Sequence, residues 1–260
     1  MPQCRIVANY AVGYNNFDLA AATKRNVILT NTPGVLDEAT ATLTFTLLLS
    51  AARRIAEADK FVRTGTWRGW APMFFVGLDV DRKTLGIAGL GRIGKSVARK
   101  AAAFNMGVIY ADVRRDPDFE KETGARFVTK EALLKEADFL TLHVPLTPET
   151  RHYIGENELR MMKSTAVLIN ASRGPVVDEK ALVAALREKR IWAAGLDVFE
   201  NEPALEPGLA ELDNVVVVPH IASATPGTRI AMGKIAAGNI IKVLSGDAPD
   251  TCINPDALEP

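Results

Sequence analysis

The sequence predicts an α/β fold in which a doubly wound parallel sheet carries helices on both faces. Two observations lead to this prediction. From residue 85 onward, short apolar runs alternate with helix-forming segments, which is typical of parallel strands joined by helical crossovers. The first run passes through a glycine-rich turn into a helix, in the stretch "LGIAGLGRIG" at residues 85–94. Sheets of this kind bind ligands beyond the carboxyl ends of their strands, so functional residues are expected in the loops there.

Before that stretch, two strands and two helices are predicted. The segment "CRIVANYAVGY" begins as a strand and breaks at Gly13, and "VILTN" is a second strand closed by a Pro-Gly turn. Between them, "NNFDLAAATKRN" predicts a helix with Asn16 as its N-cap. From Glu38 to about Arg63 we predict one long helix, whose apolar first half is expected to be buried between layers. The aromatic stretch "TGTWRGWAPMFFVGLDV" is expected to be a loop.

After the glycine-rich turn, a helix that starts near Lys95 opens a regular series. The expected helices are "KSVARKAAAF", "KEALLKEA", "ENELRMM" and "EKALVAALREK". The strands that follow them are "GVIYAD", "DFLTLHV", "TAVLIN" and "AAGLDV", and "VVVVP" closes the series. A final long helix, "PGTRIAMGKIAAGNIIKVLSG", is expected to end at Gly246. This order of elements favours a parallel sheet that is covered on both faces.

The glycine-rich turn has the spacing Gly89-x-Gly91-x-x-Gly94, which suits a dinucleotide for physical reasons. Gly89 permits a tight turn out of the strand, Gly91 lets a pyrophosphate approach the backbone, and Gly94 lets the helix pack closely. The free N–H groups at the start of the helix then face the phosphates. Asp112 ends the next strand, 23 residues after Gly89, where a ribose-binding carboxylate is expected. The alternative is a structural strand–turn–helix that binds no ligand.

The type of cofactor is predicted from the same carboxylate. Asp112 favours NAD, because a carboxylate accepts hydrogen bonds from both ribose hydroxyls and repels a 2′-phosphate. The neighbouring Arg114 and Arg115 could pair with that phosphate, so NADP stays open as the alternative cofactor.

Composition and charge argue against several other classes of protein. Lys plus Arg and Asp plus Glu both number 31, so no charge excess suggests nucleic acid or an anionic membrane as a partner. The apolar runs are too short to span a bilayer. Cys4 and Cys252 lack the spacing of a metal site, which predicts no metal and a reducing, cytoplasmic location. The first residues lack the pattern of a signal peptide, which also favours the cytoplasm.

Three loops at the ends of predicted strands carry residues suited to acid–base chemistry. Arg173 lies in "NASRGPVVDE", Glu202 in "LDVFENEP" and His220 in "VVPHIASAT". Arg173 can donate two hydrogen bonds to a carboxylate, and His220 can protonate a carbonyl oxygen as hydride reaches the carbon. Glu202 can bind the other ring nitrogen of the histidine and favour its charged form. Together the three side chains suit the reduction of a 2-keto acid.

Each of the three residues alone also has an ordinary structural explanation. Arg173 could be a surface charge in a turn, Glu202 one acid in an exposed loop, and His220 a hydrogen-bonded histidine beside a helix start. Their joint placement behind one nucleotide-binding turn favours the catalytic interpretation. Of the other histidines, His143 is expected to serve packing or loop structure, and His152 to be an exposed loop residue.

A set of motifs resembles the D-isomer-specific 2-hydroxyacid dehydrogenase family over essentially the whole chain. These motifs are "GLGRIG", "HVPLTPETR", "NASRGPVVDE", "GLDVFENEP" and "PHIASAT". The stretches "ANYAVGYNN" and "NTPGVLDEAT" are most similar to the glyoxylate/hydroxypyruvate reductase branch of that family. The resemblance implies a nicotinamide-dependent oxidoreductase that reduces glyoxylate or hydroxypyruvate to the D-2-hydroxy acid. Formate dehydrogenases are less similar, because they carry Gln where this chain has Glu202.

The resemblance also implies roles for individual residues. Arg173 would bind the substrate carboxylate and carbonyl, Glu202 would support the histidine, and His220 would be the acid–base residue. The backbone N–H groups of Val12 and Gly13 would bind the substrate carboxylate. Asp197 would hold the nicotinamide carboxamide. The other cofactor contacts would come from Gly89, Gly91, Arg92, Ile93, Gly94, Asp112, Val144, Pro145, Ala171 and Ser172.

The same resemblance predicts the domain organisation. Residues 36–224 would form a Rossmann-type NAD-binding domain, and residues 1–35 and 225–260 would form part of a flavodoxin-like substrate domain. That second domain is expected to be incomplete, because family members begin with further strand–helix units that cover apolar surface and one wall of the cleft. Another departure is Asp37, where close relatives carry Thr, with Thr42 where they carry Asp.

Two alternative functions remain open at this point. The chain could act on another 2-hydroxy acid, such as 3-phosphoglycerate. It could also be a truncated nucleotide-binding paralogue that does not turn over substrate.

A homodimer is predicted from the stretch "GTWRGWAPMFFVG", which is too apolar to lie bare on a monomer. In the similar glyoxylate/hydroxypyruvate reductases this stretch crosses the dimer interface. The aromatic residue two positions after its proline narrows the substrate site of the neighbouring subunit. In this chain that residue is Phe74. The alternative is that the aromatic stretch is a loop folded back on its own domain.

Overall fold

The computed structural model describes residues 4–258, and this part of the chain forms nine strands and nine α-helices. The strands are β1 (Ile6–Ala8), β2 (Ile28–Thr30), β3 (Thr84–Ala88), β4 (Gly107–Ala111), β5 (Arg126–Phe127), β6 (Phe139–Leu142), β7 (Val167–Asn170), β8 (Ala193–Leu196) and β9 (Val215–Val217). The helices are α1 (Leu19–Lys24), α2 (Asp37–Ala52), α3 (Ile55–Arg63), α4 (Arg92–Ala101), α5 (Pro117–Thr123), α6 (Lys130–Glu136), α7 (Glu156–Met161), α8 (Glu179–Arg187) and α9 (Pro226–Ser245).

Seven strands form one parallel sheet in the order β5-β4-β3-β6-β7-β8-β9, and β1 pairs with β2 in a separate parallel sheet. The chain runs outward from β3 to β5 and then returns to place β6 on the other side of β3. A switch point therefore lies between β3 and β6, and doubly wound sheets generally bind their ligands at such a point. The predicted α/β fold with a doubly wound parallel sheet is confirmed.

Helices cover both faces of the large sheet, as a parallel sheet requires. Every residue of β6 and β7 is buried. Side chains of α2 and α4 pack on one face, and those of α6, α7 and α8 pack on the other. The strands are therefore held firmly, and their carboxyl ends provide fixed positions for the loops that follow.

The chain divides into two compact units, one of which comprises residues 40–222 and contains the seven-stranded sheet. The other comprises the residues up to 39 and from 223, with β1, β2, α1 and α9. In this second unit α9 packs against β1. The buried amide of Asn254 accepts a hydrogen bond from the backbone N–H of Leu29 at 2.7 Å and donates one to the carbonyl of Val27 at 3.0 Å. The C-terminal tail is thereby held beside β2.

The prediction of one long helix over residues 38–63 is wrong, because the structure has two helices, α2 and α3, that are separated by a break after Ala52. Arg54 takes a left-handed backbone conformation at the break, with a φ of 54°. The carbonyl of Ala52 accepts a hydrogen bond from the backbone N–H of Leu78 at 2.8 Å. A continuous helix would use that carbonyl for the N–H four residues later, so a tertiary contact ends α2.

Two helix starts also differ from the prediction. The N-cap of α1 is Asp18, whose carboxylate accepts a backbone hydrogen bond at 2.9 Å, and not Asn16. The helix after the glycine-rich turn starts at Arg92 rather than near Lys95. The short α5 and β5 were not predicted, although the Asp116 N-cap and the proline after it are ordinary start signals for α5.

Candidate active site

The glycine-rich turn between β3 and α4 has the shape that a dinucleotide needs. Gly89 has a φ of +91°, and a Cβ there would lie 2.8 Å from the backbone of His143 at the end of β6. A Cβ on Gly94 would run into the carbonyl oxygen of Gly89. Gly91 caps α4, and apart from its own chain neighbours no atom lies within 4 Å of the place where its Cβ would be. The turn therefore leaves open backbone at a helix N-terminus, which fits a pyrophosphate.

Asp112 lies directly after β4 and is tied to this turn. Its Oδ2 accepts a hydrogen bond from the backbone N–H of Leu90 at 2.6 Å, and its Oδ1 accepts one from the backbone N–H of Arg114 at 3.3 Å. The carboxylate therefore stands beside the glycine-rich turn, where it can reach a ribose. Its residue is partly exposed, so the remaining lone pairs are accessible to a ligand.

The guanidinium group of Arg115, three residues after Asp112, is hydrogen-bonded to another carboxylate. It donates to both carboxylate oxygens of Glu120, at distances of 2.7 to 3.1 Å. The hydroxyl of the fully buried Tyr110 also donates to Glu120, at 2.8 Å. The hydrogen bond from Arg115 lowers the pKa of Glu120, so the carboxylate stays charged and holds the arginine.

Three neighbouring strands position the predicted catalytic side chains. Arg173 follows β7, Glu202 follows β8, and His220 follows β9. Because these strands are parallel and adjacent, their carboxyl ends meet at one edge of the sheet. The structure therefore places all three loops on the same side as the glycine-rich turn.

His220 and Glu202 form a direct pair. Nδ1 of His220 lies 3.0 Å from Oε2 of Glu202, and Oε1 of Glu202 accepts a hydrogen bond from Phe199 N–H at 3.0 Å. His220 has a left-handed backbone with a φ of 53°, and its N–H donates to the carbonyl of Asp197 at 2.9 Å. The pairing through Nδ1 leaves Nε2 as the ring nitrogen that can exchange a proton with a substrate.

Arg173 is held in a partly buried loop at the end of β7. The side chain of the buried Asn170 accepts hydrogen bonds from the backbone N–H and the hydroxyl of Ser172 and donates to the carbonyl of Arg173 at 2.9 Å. Burial lowers the pKa of Arg173, and the nearby negative charge of Glu202 raises it. Asn170 was not among the site residues predicted from the sequence, although a polar amide that ends an apolar strand is an identifiable signal.

Asp197 is fully buried after β8 and organises the loop of the histidine. Its two carboxylate oxygens accept hydrogen bonds from the backbone N–H groups of Ile221 at 2.6 Å and Ala222 at 3.0 Å. Burial raises the pKa of Asp197, while these two N–H groups and His220 oppose the increase. The predicted contact of Asp197 with a nicotinamide carboxamide stays a prediction.

The other predicted site residues lie in several places. Val144 and Pro145 follow β6, and Ala171 and Ser172 follow β7, at the same sheet edge as the loops of Glu202 and His220. Val12 and Gly13 follow β1 in the other compact unit, so their predicted binding of the substrate carboxylate stays a prediction. Phe74 is 42% exposed and packs edge-on against Phe61 and Phe75. Arg92 and Ile93 open α4 directly after Gly91.

The remaining two histidines have local partners. Nε2 of His143 lies 2.9 Å from the hydroxyl of Thr141, and burial lowers the pKa of His143 to about 4. The exposed His152 lies 2.6 Å from Oε1 of Glu200. Glu200 and the buried Glu179, which it contacts, were not identified from the sequence.

No group of three or more His, Cys, Asp or Glu side chains within residues 4–258 is placed to hold a metal ion. Over the same residues, no helix combines the length and the apolar character that a membrane crossing requires.

Comparison with known proteins identifies similar chains. A family model described as D-isomer specific 2-hydroxyacid dehydrogenase, NAD binding domain, matches residues 45–222. Glyoxylate reductase from Thermococcus litoralis is 53% identical over 261 residues, which cover 99% of this chain and 79% of that protein. Among solved structures, the TT0316 protein from Thermus thermophilus has a TM-score of 0.90 at 45% identity, over 96% of this chain and 78% of that one. An NADPH-dependent glyoxylate/hydroxypyruvate reductase from Sinorhizobium meliloti, solved with NADP and malonate, has a TM-score of 0.88 at 35% identity, over 98% and 79% of the two chains.

Proposed function

The chain belongs to the D-isomer specific 2-hydroxyacid dehydrogenase family, and on this premise we propose that it reduces glyoxylate or hydroxypyruvate to the D-2-hydroxy acid. The observation that carries the proposal is the His220–Glu202 pair, 3.0 Å apart, at the same sheet edge as Arg173. Similar proteins at 53% and 35% identity are named for the reduction of glyoxylate, or of glyoxylate and hydroxypyruvate.

Arg173 would bind the carboxylate of the keto acid. A guanidinium group donates two parallel hydrogen bonds to a carboxylate, which orients the adjacent carbonyl as well as binding the acid. The partial burial that lowers the pKa of Arg173 also removes competing water, so an incoming carboxylate gains more from the pairing.

His220 would deliver the proton that completes the reduction. A reduced nicotinamide bound by this domain would supply a hydride, that is two electrons and a proton, for the carbonyl carbon. His220 Nε2 would then give its proton to the carbonyl oxygen, so that a hydroxyl forms without a free alkoxide. Glu202, held by Phe199 N–H at 3.0 Å, would orient the ring for this transfer.

In this proposal the unit with the seven-stranded sheet is the NAD-binding domain, and the smaller unit is part of the substrate domain. Gly89, Gly91 and Gly94 would hold the pyrophosphate, and Asp112 would bind the ribose. NAD is favoured because Asp112 is negatively charged at that position and Arg115 is already paired with Glu120. NADP is the alternative, and a reductase at 35% identity is named as NADPH-dependent.

The proposed assembly is a homodimer in the cytoplasm. Trp70 and Met73 are 82% and 81% exposed, and the apolar Ile55 and Val62 of the neighbouring α3 are more than half exposed. Such an exposed apolar surface on one unit supports an interface with a second copy. Phe74, at the same surface, would then reach the substrate site of the partner. The free thiols of Cys4 and Cys252 support a reducing compartment.

A steady-state assay with purified protein tests the proposed reaction. NADH consumption is followed with glyoxylate, hydroxypyruvate, pyruvate and 3-phosphohydroxypyruvate as substrates, and the His220→Asn variant serves as the control. We expect turnover with glyoxylate or hydroxypyruvate that His220→Asn abolishes. A clear preference for the phosphorylated acid would contradict the proposed substrate, and NADH binding without any turnover would support the nucleotide-binding alternative.

A further inference from the structure

Glu200 lies in the segment that fixes the catalytic carboxylate, only two residues before Glu202. The backbone N–H of Phe199 holds Oε1 of Glu202 at 3.0 Å, and the other oxygen, Oε2, faces His220. The orientation of Glu202 therefore depends on where the backbone of residues 199–200 stands.

The buried carboxylate of Glu179 holds that backbone in place. Its Oε1 accepts a hydrogen bond from the backbone N–H of Glu200 at 2.7 Å, and Oε2 of Glu200 lies 3.4 Å from the backbone N–H of Glu179. Glu179 is only 2% exposed, and burial raises its pKa, with the carboxylates of Glu200 and Glu206 adding to the increase. A carboxyl group is costly to bury, and the N-cap of α8 is already provided by Asp178. The hydrogen bond from the backbone of Glu200 is therefore one of two that offset the burial of this side chain, and the backbone of Glu206 provides the other.

The carboxylate of Glu200 joins a third loop to this contact. Its Oε1 lies 2.6 Å from Nε2 of His152 and 3.3 Å from a guanidinium nitrogen of Arg151, both in the loop after β6. The backbone of that loop is also tied to the chain after Arg173, because His152 N–H donates to the carbonyl of Pro175 at 2.8 Å. Glu200 therefore meets side chains from the loop after β6 and from the start of α8.

Gly174 extends the contact to the substrate-binding arginine. A Cβ at Gly174 would overlap the carbonyl of Phe199, so the loop that carries Arg173 lies directly on the segment that carries Glu200. A displacement of residues 199–200 would therefore disturb both Arg173 and Glu202. The two side chains must keep their relative position for a keto acid to be bound and protonated at once.

We propose that Glu200, held by Glu179, is a positioning residue that sets the geometry of the Glu202–His220 pair. Glu200 would not contact the substrate and would act only through the backbone of residues 199–202. The inference rests on the proposed function only for its kinetic test, because the positions of the imidazole and the carboxylate can also be followed without turnover.

The kinetic test is a double-mutant cycle with Glu200→Ala and Glu202→Ala. Misplacement of a catalytic group by about 1 Å can cost about 100-fold in rate, so we expect Glu200→Ala to lower kcat by about 10-fold or more, with the affinity for NADH unchanged. In the Glu202→Ala background the same change should have little further effect, because the positioned group is already lost. The control Glu131→Ala removes a carboxylate that is 63% exposed on α6 and should change neither parameter. Equal effects of Glu200→Ala in both backgrounds, or an unchanged kcat, would overturn the inference.

The second test is NMR of protein with isotope-labelled histidine and needs no substrate. The chain has three histidines, so the signals of His220 can be assigned with single His→Asn variants. We expect Glu200→Ala to move the His220 ring signals in the direction in which Glu202→Gln moves them, and Glu131→Ala to leave them in place. If Glu200→Ala does not fold, Glu200→Gln is judged by the same criteria. Unmoved His220 signals would refute the positioning role even in a protein that reduces no keto acid, whereas moved signals would sustain it.

Discussion

The substitution Glu202→Gln tests the proposed proton donor most directly. It removes the negative charge beside the imidazole and keeps the shape of the side chain, including an oxygen that can accept the hydrogen bond from Phe199 N–H. A carboxylate next to a histidine favours the charged ring, and the charged ring is the form that donates a proton during reduction. Loss of the charge should therefore lower the pH above which reduction fails.

The size of the effect follows from the geometry of the pair. The two groups are 3.0 Å apart, with half of the His220 side chain and 37% of the Glu202 side chain exposed. Partly exposed ion pairs contribute about 0.2–1 kcal/mol. Because Phe199 N–H already fixes the carboxylate, little side-chain entropy opposes the pairing. We therefore expect the charge of Glu202 to contribute at the upper end of that range, about 1 kcal/mol.

The assay is the pH dependence of kcat/KM for glyoxylate at saturating NADH. Glu211→Gln is the matched control, because its carboxylate is 79% exposed and its charged partner Arg187 is 3.9 Å away. The control profile should overlay the wild type, and the Glu202→Gln profile should fall off at lower pH. Coincidence of the Glu202→Gln profile with the wild type would refute the functional pairing with His220.

Four further predictions concern the cofactor, the substrate and stability. His220→Ala should lower kcat by about 10²–10⁴-fold and leave the affinity for NADH, measured by fluorescence titration, unchanged. A small loss of kcat would contradict the role of His220 as proton donor. Asp112→Ser should narrow the preference for NADH over NADPH in kcat/KM, because the charge that repels a 2′-phosphate is removed. A preference of the wild-type protein for NADPH would contradict this reasoning. Phe74→Ala should extend the substrate range toward bulkier keto acids with unchanged NADH affinity, because Phe74 is proposed to narrow the substrate site of the partner. A monomer by light scattering, or an unaltered substrate profile, would contradict that proposal. Asn254→Ala should lower the free energy of unfolding by about 1–3 kcal/mol in urea denaturation, since the buried N–H of Leu29 loses its partner, and a change near zero would show that another group replaces the amide.

Local sequence patterns determined much of the fold. The alternation of apolar runs and helices predicts the strands β3, β4, β6, β7, β8 and β9, because a buried parallel strand must be apolar on both faces. Arg173, Glu202 and His220 could be assigned to one edge of the sheet for a related reason. Consecutive parallel strands end on the same side, so residues directly after them share that side whatever the rest of the chain does.

Other features depended on contacts between residues that are far apart in the chain. The break after Ala52 arises from a hydrogen bond to Leu78, and no local signal in an apolar, helix-forming segment announces it. By contrast, the engagement of Arg115 by Glu120 is a local contact, and the Asp116 N-cap with the proline after it carried a signal for α5 that the prediction did not use.

The contrast is clearest around the proposed catalytic carboxylate. The sequence by itself predicted Glu202 and His220 as catalytic candidates, because their residue types and their positions after strands suffice for a chemical argument. Only the tertiary structure decided how Glu202 is held, through Phe199 N–H and the contact of Glu200 with the buried Glu179. The physical reason is that a strand end is defined by neighbours in the chain, whereas the orientation of a side chain within a loop is defined by whichever other loops the fold packs against it.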